Sequence, residues 1–259
     1  NQKVALIVAK TLGISVGRIR IESANTKRIG NASPTAASSG TDINGNAARL
    51  AAEILKNRLK QTAAELLGIS NDTTVYFEND LIWSSENPEQ KLSFEQVVHT
   101  AYMNRVDLGA HAFYKTPDIH FDREKGEGTP FYYFVNGSAT VMVEIDLIHG
   151  YFAIKKACIA HETAKLIDEA IDRGQITGAF VQGYGWCTME EENFNQKGQY
   201  LATTPSTYKF PTIRDIPEEW DIKMFDKTCK KSSVYGSKAV GEPPFIYGEG
   251  VWFAILDAI

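Results

Sequence analysis

The 259 residues are 43% hydrophobic and 11% aromatic, enough apolar content to bury a core in one large domain or two closely packed lobes. A formal charge of -5, without long Lys/Arg runs, gives no basic footprint for a nucleic-acid backbone or an anionic membrane, so neither partner is expected. No stretch reaches the roughly 20 apolar residues that span a bilayer, and Asn1-Gln2-Lys3-Val4 lacks the plan of a signal peptide, so the expected setting is the cytoplasm.

In chain order, Gln2 to Leu12 reads as a helix: Val4, Ile7, Val8, Thr11 and Leu12 recur at helical spacing before Gly13, a stop signal. Arg18 to Glu22 reads as a strand. Residues 31–45 are small and polar, and a strong helical pattern begins at about Ala47, with Leu55, Leu59, Ala63 and Leu66 on one face. Strands are expected near Thr74 to Phe77, Phe131 to Val135, Thr140 to Asp146 and Tyr151 to Ile159, with a turn at Gly150. A helix from about Lys165 to Trp186 follows, in which Gly174, Gly178, Gly183 and Gly185 permit close backbone approach. A polar loop at Glu191 to Gly198 and the segment Pro205 to Pro211 lead to a strand at Trp220 to Phe225 and a final helix starting at Pro243. This irregular alternation predicts an α+β fold, mixed sheets packed with helices.

Three segments hold candidate chemistry. In Ser237-Lys238-Ala239-Val240-Gly241-Glu242-Pro243-Pro244, a carboxylate stands between a glycine and two prolines at a helix entrance. There the helix dipole would favour its ionised form and burial would oppose it, a balance that suits a base; local spacing alone favours a helix cap. The loop Ser33-Pro34-Thr35-Ala36-Ala37-Ser38-Ser39-Gly40 offers hydroxyls and backbone amides before a long helix, either for an anion or as an ordinary capping loop. Gln182, among the glycines of residues 174–185, can bond a polar ligand or a neighbouring carbonyl. His99, His111, His120, His149 and His161 show no close ligand spacing, and Cys158, Cys187 and Cys229 are expected as reduced thiols, so no residue is assigned as a metal ligand.

Taken in order, Ser-Pro-Thr-Ala-Ala-Ser at 33–38, Phe-Tyr-Lys-Thr-Pro at 113–117, Pro-Phe-Tyr-Tyr-Phe at 130–134 and Val-Glu-Ile-Asp at 143–146 resemble the xanthine dehydrogenase and aldehyde oxidase family. Gly-Gln-Ile-Thr-Gly-Ala-Phe-Val-Gln-Gly at 174–183, Pro-Ser-Thr-Tyr-Lys at 205–209 and Ser-Lys-Ala-Val-Gly-Glu-Pro-Pro at 237–244 continue the similarity, which covers nearly the whole chain. The resemblance implies that residues 1–259 are the C-terminal part of a molybdopterin-binding region, a fragment of a larger chain or subunit. It implies a molybdenum-molybdopterin cofactor approached by Thr35, Ala36, Ala37, Ser38 and Ser39 and hydrogen-bonded by Gln182. Glu242 is then the general base of a hydroxylation whose inserted oxygen derives from water. The implied substrate is xanthine or a related purine, with electrons leaving through iron-sulfur clusters and FAD on other domains or subunits. A homo-oligomer is compatible with the same reading.

The departures from the family pattern carry their own expectations. The sequence starts beyond the family's Gly-Gln-Gly cofactor loop and lacks the upstream lobe that orients substrate, so the isolated fragment is expected to be inactive. Glu162-Thr163-Ala164 and Asp168-Glu169 stand where relatives often have Asp-Val-Gly and Asn-Pro. An aldehyde or heteroaromatic hydroxylase domain, and a noncatalytic assembly or cofactor-supporting module, are the competing expectations.

Overall fold

A computed structural model describes residues 1–23, 25, 27, 35–226 and 231–259, which divide into two compact units, Asn1–Tyr132 and Tyr133–Ile259. Ser33 and Pro34 of the candidate loop, and Cys229, lie outside the described residues.

In the first unit, α1 (Gln2–Leu12) ends as the sequence predicts, with Gly13 in the left-handed conformation at φ 67°. A β-carbon there would collide with the Phe77 carbonyl, so glycine is required for the close approach as well as for the turn. Where a strand was expected, Val16–Arg18 form a short 3-10 turn and 19–23 pair with no strand. Alternation needs a partner ladder to become a strand. Arg18 is engaged instead by its side chain, with Asp80 at 3.0 Å and with Glu95.

The long helix α2 spans Gly40–Leu67, beginning seven residues before the predicted start at Ala47. The polar opening is tolerated because Asn46 donates from Nδ2 to the Asp42 carbonyl at 2.8 Å, satisfying a buried amide within the helix. Its inner face is Ala52, Leu59, Ala63 and Leu67; Leu66, expected on that face, is exposed. The antiparallel strands β1 (Val75–Glu78), β2 (Leu81–Ser84) and β3 (Asn87–Ser93) form one sheet, and α3 (Phe94–Met103) opens with a Ser93/Gln96 capping box. A hairpin of β4 (His120–Asp122) and β5 (Glu127–Thr129) follows. The core here gathers Leu59 and Ala63 with Val75, Ile82 and Val97.

In the second unit, β6 (Gly137–Asp146) and β7 (Tyr151–Glu162) form an antiparallel hairpin through the Gly150 turn, and β8 (Glu219–Phe225) pairs with β7 in parallel. The parallel connection runs through α4 (Glu169–Thr188). Asp168 accepts the Ile171 amide at 3.0 Å as N-cap and Glu169 sits in the first turn, so the departure at 168–169 is a well-formed helix start. The final helix, α5 (Phe245–Ala258), begins two residues after the predicted Pro243, with Pro244 as N-cap.

Residues 131–135, predicted as a strand, pair with none because their polar atoms serve other partners. The Phe134 carbonyl accepts from Lys238 Nζ at 2.8 Å, and the Tyr133 hydroxyl accepts from the Ala239 amide at 2.9 Å. Ile154, Ala157 and Ile159 of β7, Phe180 and Tyr184 of α4, and Val251 of α5 close this core. Among the described residues no helix is long and apolar enough to cross a membrane.

Candidate functional site

The α4–α5 crossing in the second unit is set by glycines. A β-carbon at Gly183 would strike the Phe245 carbonyl, and one at Gly248 would strike the Tyr184 amide nitrogen, so the two backbones touch without intervening side chains. Gly174 and Gly178, also expected to permit close approach, have nothing near them. Gln182 precedes the first contact and is exposed, so the tight packing is made by its glycine neighbour and not by its amide.

Glu242 lies just ahead of the same crossing. Its carbonyl accepts the Phe245 amide at 2.9 Å, and the residue is exposed. It is not the helix cap that local spacing favours, since Pro244 holds that position. Val240 before it and Pro244 after it are both buried, leaving the short Gly241-Glu242-Pro243 span between two anchors. Gln182 and Glu242, predicted from separate motifs, thus flank one helix crossing.

Behind the 237–242 segment is a buried polar cluster that sequence reasoning missed. Lys238 Nζ meets Glu162 Oε1 at 2.6 Å, with the two side chains only 4% and 8% exposed. The other Glu162 oxygen accepts from Asn136, from the backbone amide at 3.2 Å and from Nδ2 at 2.8 Å. Tyr133 lies under the ammonium, 5.7 Å from nitrogen to ring centre. Ala164 is buried at φ 50° and bridges Ser237. No local sequence pattern marks Glu162 and Lys238 as partners, because they are 76 residues apart in sequence.

His161, fully buried next to Glu162, shares a 2.8 Å hydrogen bond between Nδ1 and the Tyr247 hydroxyl. Burial lowers its pKa below the usual 6.5, while the Ala239 carbonyl and the charges of Glu162 and Asp172 pull the other way. The native imidazole therefore resists a proton that the unfolded chain accepts near pH 6.5. Its contribution to stability is present above that pH and is lost as pH falls below it. Thermal unfolding followed from pH 7.5 down to about 5 is expected to show a smaller acid loss in His161→Gln than in the parent. Identical slopes would remove His161 from the account.

In the first unit, Thr35, Ala36 and Ala37 are exposed and Ser38 and Ser39 half-buried, immediately before α2. Ala37 at φ 56° and Ser38 at φ 53° are consecutive left-handed residues other than glycine, a costly conformation that the surrounding fold must impose. Ser39 does not cap the helix with its side chain; its hydroxyl donates to the Ala36 carbonyl at 2.7 Å, pinning the turn. The chemistry is that of small hydroxyls and amides at the positive end of a helix, moderated by the Asp42 carboxylate in the first turn. In the Pro-Ser-Thr-Tyr-Lys segment of the second unit, Tyr208 donates to Glu190 Oε2 at 2.6 Å, and that hydrogen bond pushes the phenol up to about 12.

Residues 1–217 match the family model described as a molybdopterin cofactor-binding domain. The chain is 36% identical over 266 aligned residues to a xanthine dehydrogenase of Oryza sativa subsp. japonica, covering all of this chain and 18% of that protein. Its fold superposes on quinoline 2-oxidoreductase from Pseudomonas putida 86 with a TM-score of 0.81 at 25% identity, covering 99% of this chain and 32% of that one. CO dehydrogenase from Oligotropha carboxidovorans shares the fold at a TM-score of 0.78 and 21% identity, over 99% of this chain and 30% of that one. The chain belongs to the xanthine dehydrogenase and aldehyde oxidase family, within its molybdopterin-binding region. The α+β fold and the molybdenum-molybdopterin cofactor expected from the sequence are those of this family.

Proposed function

We propose that the chain supplies one part of the catalytic centre of a molybdenum hydroxylase acting on xanthine or a related purine, with Glu242 as general base. The observation that carries the reading is the exposed Glu242 carboxylate on a short span anchored at Val240 and Pro244 beside the α4–α5 crossing. A base must be accessible and yet held in place, and that segment meets both demands. The donor sets suit a phosphate-bearing pterin. Thr35, Ala36, Ala37 and Ser38 offer hydroxyls and backbone amides on a turn that Ser39 pins through the Ala36 carbonyl, and Gln182 offers an exposed side-chain amide on α4. When bound, the molybdenum cofactor supplies the redox chemistry and the water-derived oxygen; Glu242 accepts the proton.

The purine assignment is supported by the 36% identity to the rice xanthine dehydrogenase along the whole of this chain. Iron-sulfur clusters and FAD on other domains or subunits then carry the electrons away, the upstream molybdenum-binding lobe orients the substrate, and the enzyme works in the cytoplasm. This chain spans 18% of that relative, so the residues that select substrate are drawn largely from outside it. A second reading, hydroxylation of another heteroaromatic ring, is favoured by the superposition on quinoline 2-oxidoreductase. Turnover of the whole molybdenum-loaded enzyme on xanthine, hypoxanthine, nicotinate, quinoline and simple aldehydes separates the two. Purines are expected to give the highest kcat/KM. A preference for quinoline or aldehydes overturns the purine assignment and leaves the role of Glu242 standing.

A further inference from the structure

We propose that the buried Lys238–Glu162 pair is a positioning device for Glu242, fastening the 237–242 segment to the end of β7 and to residues 133–136. The inference rests on the reading of Glu242 as the base and names what holds that base in place.

Ser237 bridges Ala164, and the Lys238 amide donates to the Thr163 carbonyl at 3.1 Å, so the segment enters alongside the residues that follow β7. The Lys238 side chain then turns inward and divides its donors between Glu162 Oε1 at 2.6 Å and the Phe134 carbonyl at 2.8 Å. Glu162 is itself fixed from the far side by both Asn136 donors, and its own amide donates to the Asn136 carbonyl at 2.9 Å. The next amide, Ala239, is held by Tyr133. Four successive positions, 237 to 240, are thereby tied down before the chain reaches Gly241 and Glu242.

Consecutive α-carbons are about 3.8 Å apart, so fixing Val240 and Pro244 leaves the Glu242 backbone little freedom, and shifting either anchor moves it. A surface tether would not do this, because solvent screens exposed pairs and their geometry wanders. A buried pair with further hydrogen bonds on both partners is confined to a narrow set of arrangements, and removing one partner leaves an uncompensated charge that drags the segment toward water. The two residues act through Glu242 and touch no reacting atom.

The test uses the whole holoenzyme, comparing Lys238→Met, the charge-neutral double Glu162→Gln/Lys238→Met, and Glu242→Gln as reference. With molybdenum content unchanged, Lys238→Met is expected to lose about 100-fold in kcat with little change in KM, the scale of an ångström-sized misplacement. Hydrogen exchange is expected to speed up in the same variant in peptides covering 234–242 and their partners 133–136 and 162–164, and not in the rest of the protein. Removing both charges is expected to restore at least about tenfold of the lost kcat, because no unpaired charge remains buried. Wild-type exchange across 234–242 in Lys238→Met overturns the proposal. So does exchange that rises throughout the protein with loss of molybdenum, the mark of a merely structural residue. If Glu242→Gln keeps its turnover, the base assignment is lost, whereas exchange in Lys238→Met still decides whether the pair fastens the segment.

Discussion

In the whole enzyme, Glu242→Gln is expected to lower kcat by about 100- to 10,000-fold, the range contributed by a positioned general base, while molybdenum content stays at the wild-type level. Glutamine matches glutamate in size but cannot take up a proton. The backbone contact from the Phe245 amide to the residue 242 carbonyl is indifferent to the substitution, so the fold around the α5 entrance should hold. A loss through proton transfer should appear in kcat and kcat/KM alike, since the interaction is made only on the way to the transition state. Steady-state kinetics with metal analysis of the same preparation decides the matter, and near-normal turnover by a metal-loaded variant would remove Glu242 from the chemistry.

Gly183→Ala is expected to cost about 3 kcal/mol of stability, at the upper end for overpacking a well-filled core. A single methyl would normally be tolerated beside side chains that can rotate. Here it meets the Phe245 carbonyl and α-carbon, which cannot move unless α5 moves as a body. Urea unfolding monitored in the parent and the variant should show a lower midpoint at constant m, and a midpoint shift corresponding to less than about 0.5 kcal/mol would mean the helices do not cross in backbone contact.

The second unit was more legible in the sequence than the first, for identifiable reasons. Gly150 marked its hairpin, alternation with β-branched or aromatic residues marked β6 and β7, and α4 was long enough to read through its four glycines. In the first unit β3 went unread because Asn87-Pro88-Glu89-Gln90 carries neither alternation nor β propensity, whereas β2, Leu81-Ile82-Trp83-Ser84, has β-prone residues but is only four residues long. The helix α3 had a readable signal, Ser93 followed three residues later by Gln96, that hydrophobic spacing alone overlooks.

For the candidate site, the motif at 237–244 pointed to Glu242, and the structure adds the buried Lys238–Glu162 pair behind that segment. Lys238 was in view as part of that motif, and Glu162 as a departure from the family pattern. That they form one buried pair depends on β7 ending where the 237–242 segment enters, which no local pattern encodes. The left-handed pair Ala37-Ser38 was equally hidden, since neither residue type announces a positive φ.

The backbone contact between α4 and α5 also limits how this protein can be re-engineered. Helices that meet through side chains can be slid or rotated by exchanging larger residues for smaller ones, but glycine cannot be made smaller. Any redesign that alters the reach between Gln182 and Glu242 must therefore change the length or course of the segment leading into α5, leaving the crossing itself as a fixed datum for both residues.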